Sequence, residues 1–189
     1  RFQQWLAVYF YVIVAAAIVV CINYLFHFDT LNEQLTKGQP IPAPLRDHIR
    51  FSLEMAFAVV VGIYLWNKKF SFGLRNEKYV LGAGILFLTI FIHVFAVRSG
   101  ILTMYIAFIV MILYWLFTKK AYLQGIVALI VLAGFAISAV MFIPSLHARM
   151  LYFKYEMDLI KIGELHPEHS DAQRLLSIQY GVKIAEENP

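Results

Sequence analysis

The sequence predicts an all-α protein, a polytopic transmembrane helix bundle of about five spans followed by an extracytoplasmic helical tail. Composition and spacing carry this. Of 189 residues, 61% are hydrophobic and 15% charged, and the mean hydropathy of +0.69 exceeds what a soluble core requires. The apolar residues gather into five runs, close to the length of about 20 that crosses hydrocarbon. The bundle is expected over residues 1–143, with an outward connection at 28–50, and a partial tail segment over 144–189.

The first run, Trp5 to Phe28, is longer than the apolar stretch of a secretory signal, and no small-x-small cleavage site follows it. The second, Phe51 to Trp66, is short and begins inside the polar segment before it. Tyr79 to Val97, Ile101 to Phe117 and Ala121 to Ile143 complete the set. Trp5, Tyr24, Tyr64, Trp66, Tyr79, Tyr114 and Trp115 fall towards span ends, as aromatic belts do.

Orientation follows from the basic residues. Arg1, Lys68, Lys69, Arg75, Lys78, Lys119 and Lys120 lie on one side; Lys37, Arg46, Arg50 and Arg98 lie in the short connections opposite. The positive-inside rule makes the first side cytoplasmic, so Arg98 faces out. The outward connection carries Gly38, Pro40, Pro42 and Pro44 and is expected to be a crossing loop rather than a helix. In the tail, Met150, Phe153, Met157 and Ile160 recur at helical spacing before Gly163, which predicts an amphipathic helix lying on the membrane. Ser170-Asp171-Ala172-Gln173 reads as a capping box that opens a second helix through Leu175, Ile178 and Val182. The tail holds five basic and seven acidic residues, so attraction to anionic lipid is not what seats it.

The chain opens on Arg1-Phe2 and ends on Asn188-Pro189, and it reads as an excerpt of a longer protein. Its one cysteine, Cys21, lies inside a span and leaves no intrachain disulfide to form. The basic residues are scattered between spans, which excludes a nucleic-acid surface.

Two arginines stand where a charge is expensive: Arg50 at the outer start of the second span and Arg98 at the outer end of the third. Between the third and fourth runs only Arg98-Ser99-Gly100 remains, too little for a loop, and Gly100 is expected to let the backbone reverse. Each arginine alone can be explained by snorkelling. A pair at one membrane face also suits a diphosphate, because guanidinium is permanently charged and offers a planar fork of donors. Arg46 is a third candidate. Glu54, one turn below Arg50, and His93, near the Arg98 end of its span, lie at similar depth. They either meet in a wet cavity and support the site, or Glu54 pairs with Arg50 while His93 bonds a neighbouring helix. The His166-Pro167-Glu168-His169 stretch, with Glu164 and Asp171, has the residue types of a metal site but sits in a turn with no cysteine and no periodic partner, so no metal is expected. Bound haem would need facing intramembrane histidines, and only His93 qualifies.

The connection Val97-Arg98-Ser99-Gly100, the loop ending Arg46-Asp47-His48-Ile49-Arg50-Phe51-Ser52, and the tail with Ser170-Asp171-Ala172-Gln173-Arg174 before Glu187-Asn188-Pro189 together resemble the O-antigen ligase and polymerase-like family of bacterial membrane glycosyltransferases. The resemblance implies a multi-pass enzyme of the bacterial inner (cytoplasmic) membrane with its tail in the periplasm. Such an enzyme transfers a glycan from an undecaprenyl diphosphate carrier to a lipid or protein acceptor, without metal, nucleotide sugar or other cofactor. It implies that Arg50 and Arg98 bind the diphosphate, with Arg46 as the substitute for the first. Arg-Ser-Gly stands here where Ser-Arg-Gly is commoner, and Ile178 where an aromatic is frequent. The catalytic histidine that the resemblance implies follows the Asn-Pro pair and so lies beyond Pro189; His147, His166 and His169 do not match it. A polysaccharide polymerase or a protein glycan ligase would share the same chemistry. The non-enzyme alternative is a transporter or structural membrane subunit, in which Arg50, Arg98, Glu54 and His93 neutralise one another.

Overall fold

The computed structural model describes residues 1–37, 39–43, 47–73, 76–120, 122–161 and 170–187. These form eight helices and no strand: α1 (Phe2–Phe26), α2 (Phe28–Thr36), α3 (His48–Asn67), α4 (Glu77–Phe95), α5 (Arg98–Lys119), α6 (Tyr122–Phe142), α7 (Pro144–Lys161) and α8 (Ser170–Glu187). α1, α3, α4, α5 and α6 are long and apolar enough to cross a membrane, the mark of a multi-pass membrane protein.

Local sequence explains where the helices begin and end. α1 contains no glycine or proline and runs to His27, where the backbone leaves helical angles and α2 sets off. α3 starts behind Asp47, whose carboxylate accepts from the N–H groups of Ile49 and Arg50 at 3.1 and 3.0 Å, filling two of the vacancies at a helix start. α7 opens on Pro144, whose missing N–H costs nothing at a first helical position.

Three expectations need correcting here. The connection over 28–50 is not all loop, since its first third is α2. Gly38 and the prolines follow Lys37 in the sequence; before them Leu31 and Leu35 lie one turn apart and bury a common edge. Tyr24, expected at the interface, is buried against this helix and donates its hydroxyl to Asn32 Oδ1 at 3.1 Å. The reversal between α4 and α5 is made by Ala96, left-handed at φ 53° and ψ 31°, with Val97 extended after it. Gly100 lies within the first turn of α5 and serves packing instead.

α3 is the axis of the bundle. It packs on α1, α4 and α5, and half of its most apolar window is buried (50%), against 11% for α6 at the periphery. Phe10, Met55, Val59, Leu65, Leu88, Ile92, Phe95 and Met104 form the sealed centre. Two glycines let helices come together. A Cβ on Gly62 would stand 2.7 Å from both Phe10 and Ile85, and one on Gly100 would stand 2.6 Å from Ser52 Cβ and 2.8 Å from the Ser52 carbonyl oxygen. At Gly100 the obstacle includes backbone, which cannot swing aside.

α7 is held by protein. It packs across α2, α4 and α6, seated by buried Ser145, Leu146 and Ala148, and the Ser145 hydroxyl donates to the Val94 carbonyl at 2.6 Å. Met150, Phe153 and Met157 of the expected membrane-facing stripe stay at least a third exposed. α8, expected from the capping pattern, runs from Ser170 to Glu187 and touches α7. Gly163 lies outside the described residues.

Replacing Gly100 by alanine forces α3 and α5 apart at their first turns. The expected cost is about 1–3 kcal/mol, the usual toll of overpacking, read as a lower Tm of the detergent-solubilised protein. Ala96→Gly should leave Tm unchanged or raise it, because glycine takes the left-handed angle without strain. A Gly100→Ala protein as stable as the parent would mean that the close contact does not hold the helices.

Candidate functional site

α3 and α5 run in the same direction, and their first turns touch through Ser52 and Gly100. Ser52 Oγ donates to the Ile49 carbonyl at 2.7 Å and lies 3.5 Å from Ser99 Oγ. Arg50 precedes Ser52 by two residues and Arg98 precedes Gly100 by two, so both arginines open their helices at the same end of the bundle. Two residues are about 200° of helix rotation. Each guanidinium therefore leaves from a side turned away from the seam.

The two arginines have different surroundings. Arg50 is 83% exposed, and its Nε lies 2.9 Å from Asp47 Oδ2, so one aspartate both caps α3 and holds the arginine. An exposed pair of this kind is worth at most about 1 kcal/mol, and another anion can compete for the fork. Arg98 is half-buried, with its guanidinium carbon 4.4 Å from the centre of the Phe153 ring on α7. The cation–π contact partly desolvates a charge that already stands at the positive end of a helix. Arg46 lies outside the described residues.

Glu54 and His93 face different neighbours. The Glu54 backbone carbonyl accepts from the Tyr9 hydroxyl at 3.0 Å, on the α1 side of α3. His93 is buried on the far side, its Nδ1 2.7 Å from the Thr89 carbonyl and its Nε2 3.0 Å from the Tyr105 hydroxyl. A carbonyl only accepts, so Nδ1 carries the proton and Nε2 accepts from Tyr105. The ring is further fixed edge-on to Phe135 of α6 at 5.2 Å. With both nitrogens bonded, this histidine ties α4 to α5 and α6. Glu54 makes no ion pair with Arg50 among the described residues.

Arg149 escapes sequence reasoning. It lies on α7, half-buried, with its guanidinium carbon 5.5 Å from the Tyr152 ring centre and within electrostatic reach of His48, two residues from Arg50. In the sequence it is a basic residue of an acidic tail, and only the docking of α7 brings it near the start of α3. His166, His169, Glu164 and Glu168 lie outside the described residues.

Tyr105→Phe should leave His93 Nε2 buried without a donor, at a cost of about 1–3 kcal/mol, measured as a fall in Tm in detergent. An unchanged Tm would remove His93 from the fastening of α4 to α5. In comparison with known proteins, the chain matches no family model, no curated protein and no solved structure.

Proposed function

We propose that this chain carries the diphosphate-gripping part of an O-antigen ligase-like enzyme, which transfers a glycan from undecaprenyl diphosphate to an acceptor at the outer face of the bacterial inner membrane. The observation that supports this most is the shared position of Arg50 and Arg98 on the first turns of two helices pressed together at Ser52 and Gly100. In this reading a diphosphate lies across the starts of α3 and α5, where each helix N-terminus attracts an anion and each guanidinium reaches it from its own outer side. Arg149, brought in by α7, adds a third cation. The orientation with this end outward rests on the distribution of lysine and arginine.

In this reading the lipid tail of the donor lies along the exposed apolar flank of the bundle, which places its diphosphate at the depth of the helix starts. The arginines stabilise charge that builds on the diphosphate as the anomeric carbon leaves it, an effect that is strongest for donors already in place. A base removes the proton of the acceptor hydroxyl, and displacement inverts the anomeric centre. Phe153 holds Arg98 in one orientation, and Asp47 holds Arg50 until the stronger anion arrives.

Arg98→Lys should weaken binding of undecaprenyl diphosphate by about tenfold or more, the worth of losing a bidentate, charge-assisted contact, and should abolish most glycan transfer in membranes without changing insertion. Asp47→Asn keeps a capping side chain on α3 while releasing Arg50, and should tighten the same binding. Unaltered affinity in both variants would refute the diphosphate site.

A further inference from the structure

The end of the bundle opposite Arg50 and Arg98 gathers cations and leaves them open. Arg1, Lys68, Lys69, Lys78, Lys119 and Lys120 are exposed there, at the start of α1, around the connection from α3 to α4, and at the end of α5. None of them makes an ion pair among the described residues, whereas at the other end Lys37 lies 2.7 Å from Glu33 and Arg50 lies 2.9 Å from Asp47. The one acidic residue that the sequence places at this end is Glu77, the first residue of α4. It is 5% exposed, with Oε2 accepting from the Ser71 hydroxyl at 2.7 Å and from the Phe72 backbone N–H, and with Oε1 buried without a hydrogen-bond partner among the described residues. Glu77 therefore presents no carboxylate to the lysines at the surface.

The lysines of the α3–α4 connection are ordered by aromatic rings. Trp66, near the end of α3, presses against Gly82 of α4, where an added Cβ would stand 2.7 Å from the ring carbon Cζ3. Lys78 precedes Gly82 by one turn on the same face of α4, and its Nζ lies 5.1 Å from the Trp66 ring centre. Lys68 folds back over Tyr64, 6.0 Å from that ring. Lys69, left-handed at φ 51°, turns the chain beside them. A ring covers one side of an ammonium and leaves N–H donors free on the other. Tyr64, Trp66 and Tyr79 are all exposed at this level, which is how aromatic residues stand at a membrane–water boundary. Three ammoniums at that boundary fit an anion with several acceptor oxygens.

We propose that Lys68, Lys69 and Lys78, ordered around Trp66, form a headgroup site for an anionic phospholipid. Its phosphodiester lies among the ammoniums, and its chains run along α4 over Leu86 and Ile90, exposed residues that continue the row of Lys78 and Gly82. Because Trp66 bridges α3 to α4, the bound headgroup also braces that hairpin. The site is at the far end from the arginines and stands whether or not they bind a diphosphate.

Native mass spectrometry of the full chain released from detergent tests this with two short-chain probes, phosphatidylglycerol, which is anionic, and phosphatidylcholine, which carries no net charge. Phosphatidylglycerol should bind about tenfold or more tightly, since each basic residue at an anionic headgroup is worth roughly fivefold, and it should raise Tm where phosphatidylcholine does not. Lys68→Gln, Lys69→Gln and Lys78→Gln combined should bring the two lipids to within about twofold of each other. Lys119→Gln with Lys120→Gln removes charge from the same end but leaves the Trp66 cluster whole, and should keep most of the preference. All five side chains are exposed, so both variants should fold with unchanged Tm in lipid-free detergent. Equal binding of the two lipids by the parent chain, a preference that survives the triple change, or one that falls as far in the Lys119 and Lys120 variant overturns the proposal.

Discussion

The contact between Ser52 and Gly100 is the constraint on which the rest of this fold depends. α3 supplies the surface for α1, α4 and α5, and at its first turn it meets α5 so closely that no side chain fits between them. That approach sets the depth of both helix starts and fixes where Arg50 and Arg98 stand relative to one another. Without lipid-driven attraction between helices, small residues at a seam are how membrane bundles gain packing. Glycine here does the work that a hydrophobic ridge does in a soluble core.

The two ends of the bundle treat charge in opposite ways. At the Arg98 end, Arg50 is held by an exposed aspartate and Arg98 stacks on an aromatic face. At the other, a buried carboxyl is half satisfied by a tight turn and half left open, while lysines stay at the surface. Between them lies an apolar centre whose polar members, such as His93 and Tyr105, bond each other and the backbone. Polar groups in such surroundings are tolerated when satisfied.

Much of this was legible in the sequence, for reasons that are physical. The five spans announce themselves because hydrocarbon imposes a length, and the observed helices begin and end within a few residues of the apolar runs. The sharing of one end by Arg50 and Arg98 follows from counting spans. What escaped reading was short or long-range. α2 is a nine-residue helix whose signal is two buried leucines, masked by the prolines after it. Gly100 looked like a turn residue because it sits beside one, whereas its role depends on Ser52, forty-eight positions earlier in the chain. Glu77 looked like one more charge at a span end, since nothing local tells that Ser71 and Phe72 fold back over it.

The packing of α5 has a consequence for how the chain assembles. α5 follows α4 after a two-residue turn, yet its principal neighbour is α3. A newly inserted α4–α5 hairpin thus has the His93–Tyr105 bond but little packing to hold it shut, and its full closure waits on a helix made earlier. If α3 is absent or displaced, the last spans have no template, so biogenesis of this bundle is ordered from its middle outward.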